Sequence, residues 1–155
     1  MGEIIIQEIN DVTALQIAEM DCSPLPKERD SIYLNFYRLF RDTCLVAVND
    51  GEVVGFALGM IDQTSTSHAY LNYLFVKENY RKTGIGKRLL EQFEIATSKK
   101  GCKFVTLLTG KNENIEYYQR QGYEKNNDLD QFSQKDAVYD YYYNTKKVSL
   151  LIKRV

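Results

Sequence analysis

The stretch YRKTGIGKRLLEQF, residues 80–93, sets two glycines one residue apart and surrounds them with Arg81, Lys82, Lys87 and Arg88. Behind them Ile85, Leu89, Phe93 and Ala96 recur at the spacing of one helix face. A helix that begins here exposes unpaired backbone N–H groups and a partial positive charge, which suits an anion. Glycine lets a ligand approach the backbone closely, and the basic side chains add charge that suits a phosphate chain. The residues alone read equally as an anion site or as a glycine-softened strand-to-helix turn with solvated basic side chains. Two familiar phosphate loops do not fit. A P-loop needs four residues between its glycines followed by Gly-Lys-Ser/Thr, whereas only Ile85 separates Gly84 from Gly86 and Arg88 follows Lys87. A dinucleotide fingerprint needs a third glycine where Leu89 stands.

Outward from the turn, HAYLNYLFV (68–76) predicts a strand entering it, and the helix runs from about Gly84 to Lys100, where Gly101 ends it. KFVTLLT (103–109) predicts a buried strand, and NENIEYYQRQ (112–121) a short helix stopped by Gly122. Upstream, EIIIQEI (3–9) predicts a strand, and Asn10 and Asp11 can cap a helix starting near Val12. A second helix is expected over 27–42. TCLVAV (43–48) and EVVGFALGMI (52–61) flank Asp50-Gly51, a strong hairpin signal because the turn needs positive φ. In the tail, GYEKNN opens a strand, 128–136 is a polar loop, and 137–143 with 147–155 form a last hairpin. The fold class is α/β of the α+β kind. It has a mixed, mostly antiparallel central sheet of about six to seven strands flanked by about four helices, in a single domain over 1–155.

Of the 155 residues 26% are charged, and the net charge is −1, which argues against a general nucleic-acid binder. Three cysteines in no metal-binding pattern suggest reduced thiols and a cytoplasmic setting. One histidine rules out metal sites that need several. No signal peptide and no apolar run of membrane-spanning length is expected.

Arg81-Lys82-Thr83-Gly84-Ile85-Gly86 resembles the Arg/Gln-x-x-Gly-x-Gly/Ala signature of the GNAT superfamily of N-acetyltransferases. NIEYYQRQGYE (114–124) resembles its second signature, which leads to Tyr-x-x-x-Gly-Phe/Tyr. The likeness is firmest from about residue 43 to 124. It implies acetyl-CoA or another acyl-CoA as co-substrate, with no metal. The pyrophosphate would lie on the backbone of Arg81, Lys82, Thr83, Gly84, Ile85 and Gly86, with Lys87 nearby, and the pantetheine arm along Phe75, Val76 and Lys77. Tyr118 takes the place of the family's general-acid tyrosine, and Tyr117 reads as core or interface. The asparagine of the second signature is replaced by Lys111, so Asn112 or Asn114 would make its contact to CoA. Asn72 stands near where relatives place a glutamate; an amide is no base, and it would orient a water or the acceptor. His68 follows TSTS and reads first as a solvated turn residue, which leaves proton removal to water.

The resemblance places the acceptor among the N-terminal helices, the middle strands and the C-terminal hairpin. Tyr33, Tyr37 and Tyr70 are the candidate contacts, and aromatic rings with carboxylates suit a cationic amine. DSIYLNFYRLFRDTCLVA (30–47) also resembles part of the diaminobutyrate acetyltransferases, a likeness the tail does not continue. The reading is acetyl transfer to a primary amine of a small molecule by direct attack in a ternary complex. A protein or peptide N-acetyltransferase and a non-catalytic acyl-CoA-binding sensor or interaction module stay open. No nucleic acid or membrane partner is expected, and the family commonly forms homodimers.

Overall fold

A computed structural model describes residues 2–25, 27–110, 112–126 and 149–155. Among these, seven strands form one sheet and four α-helices flank it. The chain begins with β1 (Ile4–Glu8), α1 (Asp11–Glu19) and α2 (Asp30–Phe40). Asn10 caps α1 by accepting from the Thr13 N–H at 2.9 Å, while the Thr13 hydroxyl accepts from the Asn10 N–H. α2 is shorter than the expected 27–42, because it starts without a side-chain cap and passes into a 3-10 turn at Arg41–Thr43.

β2 (Cys44–Asn49) and β3 (Glu52–Ile61) form the expected hairpin, with φ of 48° at Asp50 and 81° at Gly51. The sheet continues through β4 (His68–Val76), and α3 (Ile85–Lys99) crosses to β5 (Phe104–Thr109), which lies parallel to β4. α4 (Asn112–Arg120) leads to β6 (Glu124–Asn126), and β7 (Ser149–Arg154) inserts between β5 and β6. β7 realises the end of the expected last strand, and its described partners are β5 and β6. The loop expected at 128–136 and the strand at 137–143 lie outside the described residues.

Period two sends alternate residues of the sheet to two cores. Ala69, Leu71, Val105 and Leu107 pack with Leu89, Leu90 and Phe93 of α3. Val46, Phe56, Leu58 and Phe75 pack with α1 and α2 through Ile17, Tyr33 and Phe36. Two local features of β4 matter for function. Its parallel ladder with β5 holds only from His68 to Tyr70, opposite Phe104 to Thr106, and β4 then runs on to Val76 beside β3 alone. Against β3, Tyr73 pairs with Leu58 and Leu71 with Gly59, so Asn72 is the extra residue of a β-bulge. The bulge reverses the alternation. Leu71 and Leu74 both join the α3 core, and Tyr73 therefore faces the α1/α2 side, opposite the face that Ala69 and Leu71 share.

Gly59 sits where α3 presses closest on the sheet. A Cβ there would lie 2.4 Å from Phe93 Cε2 and 2.5 Å from the Tyr70 carbonyl oxygen. Gly59→Ala is therefore expected to lower stability by about 2–3 kcal/mol, read as a drop in the urea midpoint at unchanged slope. The thiols of Cys22, Cys44 and Cys102 are all unpaired and buried, and burial pushes the Cys44 thiol up to about 12. A thiol reagent at pH 8 is expected to label none of them within minutes in the native protein, and all of them once it is unfolded.

Candidate active site

The glycine turn is anchored at both ends, and its middle is left open. The Lys77 N–H donates to the Val54 carbonyl at 2.8 Å, and a 3-10 turn at Glu78–Tyr80 carries the chain off the sheet. Lys82 then takes φ of 62° and Gly84 φ of 86°, and Ile85 sinks into the core as the first residue of α3. The first helical bond is made by the Arg88 N–H to the Gly84 carbonyl, at 3.0 Å. Among the described residues, no backbone N–H from Lys82 through Lys87 finds an acceptor. Six successive donors at a helix start form an anion cradle.

The basic side chains divide into props and candidates. Arg81 folds back, its Nε donating to the Val76 carbonyl at 2.9 Å and its Nη2 to the Ser23 carbonyl at 3.3 Å. Arg88 reaches the Ile4 carbonyl at 3.0 Å. Thr83 caps the Tyr80 carbonyl through its hydroxyl. Lys82 and Lys87 are exposed beside the cradle, Lys87 lying 3.8 Å from Glu91.

Between the separated strands lies a gap whose β4 wall carries unspent backbone groups. The Lys77–Val54 bond fixes the phase of the antiparallel ladder, so the N–H and C=O of Phe75 and Lys77 turn to β3. Those of Leu74 and Val76 turn away from it, and Arg81 takes the Val76 carbonyl. Of the three residues expected along a pantetheine arm, only Val76 offers a backbone N–H to the gap, and Leu74 is the neighbour that the sequence reading passed over. Asn72, at the bulge, holds a buried Oδ1 with no hydrogen-bond partner. A buried acceptor left unpaired costs free energy unless a donor arrives.

α4 brings its two tyrosines to this place. Tyr118 packs edge-on against Tyr123 at 5.7 Å, and burial pushes its phenol well above the ordinary value, with Tyr117 and Tyr70 adding to the shift. It is a neutral donor at any physiological pH. Tyr117, expected in a core or interface, points its hydroxyl at the cradle: a Cβ on Gly86 would lie 3.0 Å from it. Asn112 and Asn114 are exposed on the first turn of α4, and Lys111 lies outside the described residues.

On the other face, the three expected acceptor tyrosines do not form one cage. Tyr33 is buried against Phe56 and Tyr73 and lines a cavity of ≈ 420 Å³ between α1 and α2. The cavity is also lined by Glu19, Asp21, Glu28 and Asp30, and by one cation, Lys27. Tyr37 lies under the Arg41 guanidinium, 4.9 Å from ring centre to Cζ. Tyr70 stands near enough to Tyr118 to push its phenol up further. The sequence reading missed Tyr73, whose hydroxyl donates to Glu28 Oε1 at 2.9 Å and joins that cavity to β4. Strict alternation separates Tyr73 from Tyr70, and only the bulge at Asn72 restores them to one face.

No helix among the described residues is long and apolar enough to cross a membrane, and none of their acidic, histidine and cysteine side chains form a metal cluster. The family model described as acetyltransferase (GNAT) family matches residues 11–123. An ARD1 subunit homolog of the N-terminal acetyltransferase complex from Dictyostelium discoideum is 32% identical over 90 residues, 57% of this chain and 44% of that protein. An L-2,4-diaminobutyric acid acetyltransferase from Chromohalobacter salexigens is 38% identical over 71 residues, 45% of this chain and 37% of that protein. The aligned part thus spans less than half the length of either relative. In structure, the diaminobutyrate acetyltransferase from Paenibacillus lautus, solved with L-2,4-diaminobutyric acid and coenzyme A, superposes with a TM-score of 0.72. It is 16% identical over 98% of this chain and 95% of its own. With a match over most of its length, on the segment that carries the glycine cradle, the strand gap and Tyr118, the chain belongs to the GNAT family of acetyltransferases.

Proposed function

We propose that the protein transfers an acetyl group from acetyl-CoA to a primary amine of a small molecule, by direct attack with both substrates bound. The observation that carries this reading is the run of six unaccepted N–H groups just beyond the end of β4, the strand that has left β5. Acetyl-CoA supplies a thioester on a long pyrophosphate-bearing arm, and the residues present suit both ends of it. Lys82 through Gly86 receive the pyrophosphate, with Lys87 and the Tyr117 hydroxyl beside them. Leu74 and Val76 offer backbone groups to the amide-bearing arm. Gap-facing N–H groups of β4 polarise the carbonyl where negative charge develops. Tyr118 stands ready for the leaving thiol. Because burial raises its phenol well above an ordinary thiol, a hydrogen bond to the departing sulfur costs less than complete proton transfer. Asn72 Oδ1 accepts from the incoming amine or from a water that holds it.

The cavity beside Glu28, where four carboxylates outnumber Lys27 and Tyr33 adds a ring, supports a small cationic acceptor. A peptide amine is the second reading, favoured by the Dictyostelium relative, which belongs to an N-terminal acetyltransferase complex. Buried, unpaired cysteines agree with a cytoplasmic location.

Acetyl-CoA at about 100 times its Kd is expected to add about 2.7 kcal/mol and raise the melting temperature by roughly 2–8 °C, while ATP and NAD leave it unmoved. In Gly86→Glu the added carboxylate meets both the phosphate and the Tyr117 hydroxyl, so the CoA shift should vanish; a retained shift refutes the cradle. Tyr118→Phe is expected to lower kcat by about 10-fold to 100-fold with acetyl-CoA affinity within twofold. An unchanged kcat with a panel of amines, followed by thiol release, removes Tyr118 from the chemistry.

A further inference from the structure

An ammonium must lose a proton before it can attack, and neither Asn72 nor Tyr118 can take one. His68 is not the solvated turn residue that its sequence context suggests. It opens β4, its side chain is 13% exposed, and its ring stacks on Phe104 at 5.1 Å. Nδ1 lies 3.3 Å from Asp62 Oδ2, and Nε2 lies 2.5 Å from Thr106 Oγ1.

The protonation pattern follows from the partners. Asp62 Oδ1 accepts from the Thr64 N–H and hydroxyl, both at 2.8 Å, and from the Ser65 N–H at 3.2 Å. With His68 these hold the carboxyl down to about 2, so it can only accept. Nδ1 therefore carries the imidazole proton, and Nε2 presents its lone pair to the Thr106 hydroxyl. Thr106 is 1% exposed and pairs with Tyr70 in the last rung before β4 and β5 separate. Asp62 is 33% exposed at the other end. A hydrogen-bonded line thus runs from the apex of the gap to the protein surface.

We propose that Thr106, His68 and Asp62 are the path by which the acceptor's proton leaves the gap, an inference that rests on the acetyl-transfer reading. The ammonium gives a proton to Thr106 Oγ, directly or through one water, as the Thr106 hydroxyl gives its own to His68 Nε2. The imidazolium is held by the Asp62 carboxylate and returns its extra proton to solvent. The nitrogen sheds two protons in all; this path carries one, and the other ends on the CoA thiol. Thr106 is the group that meets the acceptor, and His68 and Asp62 act through it.

The test compares Thr106→Val, which keeps the shape and deletes the hydroxyl, with His68→Ala, using acetyl-CoA and the best amine of the panel. Each variant is expected to lose about 10²-fold in kcat with acetyl-CoA affinity within twofold. Added imidazole should restore at least about tenfold in His68→Ala and nothing in Thr106→Val, which a merely structural histidine would not do. His68 is the chain's single histidine, so its ¹⁵N signals need no assignment and report the tautomer without turnover. The Nδ1–H form is expected, and the Nε2–H form overturns the path. A wild type that turns over while Thr106→Val keeps its rate overturns the path alone. A wild type that binds acetyl-CoA yet acetylates no amine overturns the catalytic reading and the path together.

Discussion

β4 cannot satisfy its backbone on both sides. Its ladder with β5 stops at Tyr70 and Thr106, yet it runs on to Val76, because β3 continues to pair with it. The cost of that separation is a wall of donors and acceptors with no strand opposite, on Leu74, Val76 and the bulge at Asn72. In a sheet interior such groups are paired almost without exception. An extended arm rich in amides is the kind of ligand that pairs them, in the manner of an added strand. The cradle at the start of α3 stands at the end of the same strand, so one long molecule meets both. On the proposed acetyl-CoA reading, the separated strands take the arm and the glycine turn takes the pyrophosphate.

A buried network keeps the gap's other wall in place. Glu94 of α3 accepts from the Tyr123 hydroxyl at 3.0 Å and pairs with Lys153 of β7 at 2.8 Å. Tyr123 in turn packs edge-on against Tyr118, and Gly122, at φ of 95°, makes the turn that brings α4 back to the sheet. A Cβ on Gly122 would touch the Lys153 side chain at 3.3 Å, so the glycine also makes room for the ion pair. Where the signature admits Phe or Tyr, the hydroxyl of Tyr123, just past α4, shares the Glu94 carboxylate of α3 with Lys153 of β7. Breaking one member of such a network leaves a buried partner uncompensated. Tyr118 is thus backed by Tyr123, whose hydroxyl is held by Glu94 of α3.

The features legible in the sequence are those with local causes. Positive φ at Asp50, Gly51, Gly84, Gly101 and Gly122 follows from residue chemistry, and the element order follows from periodicity. The cradle was legible because two glycines and a helix start lie within a few residues. The features that were not legible depend on register. The bulge at Asn72 leaves no mark in composition, yet it alone puts Tyr73 on the face of Tyr70. Arg81 and Arg88 look like phosphate ligands in sequence, but they serve as struts because carbonyls distant in the chain, of Val76, Ser23 and Ile4, come within reach. His68 looked like a turn residue because Asp62 lies across a turn and Thr106 on another strand.

The proposed acetyl transfer calls for opposite proton chemistry at the two ends of the gap, and the surroundings of Tyr118 and His68 differ accordingly. Tyr118 is partly buried against Tyr117 and Tyr123, and burial pushes its phenol up, so its proton stays on. The imidazole of His68 faces the Asp62 carboxylate, which its turn keeps ionised and able only to accept. Each environment is set by a different element, α4 for the donor and the β3–β4 turn for the acceptor. The bulge of β4 holds Asn72, whose buried Oδ1 has no hydrogen-bond partner. An amide there is neither acid nor base. Its oxygen accepts a hydrogen bond without competing for a proton, which is the property the proposed acetyl transfer asks of it.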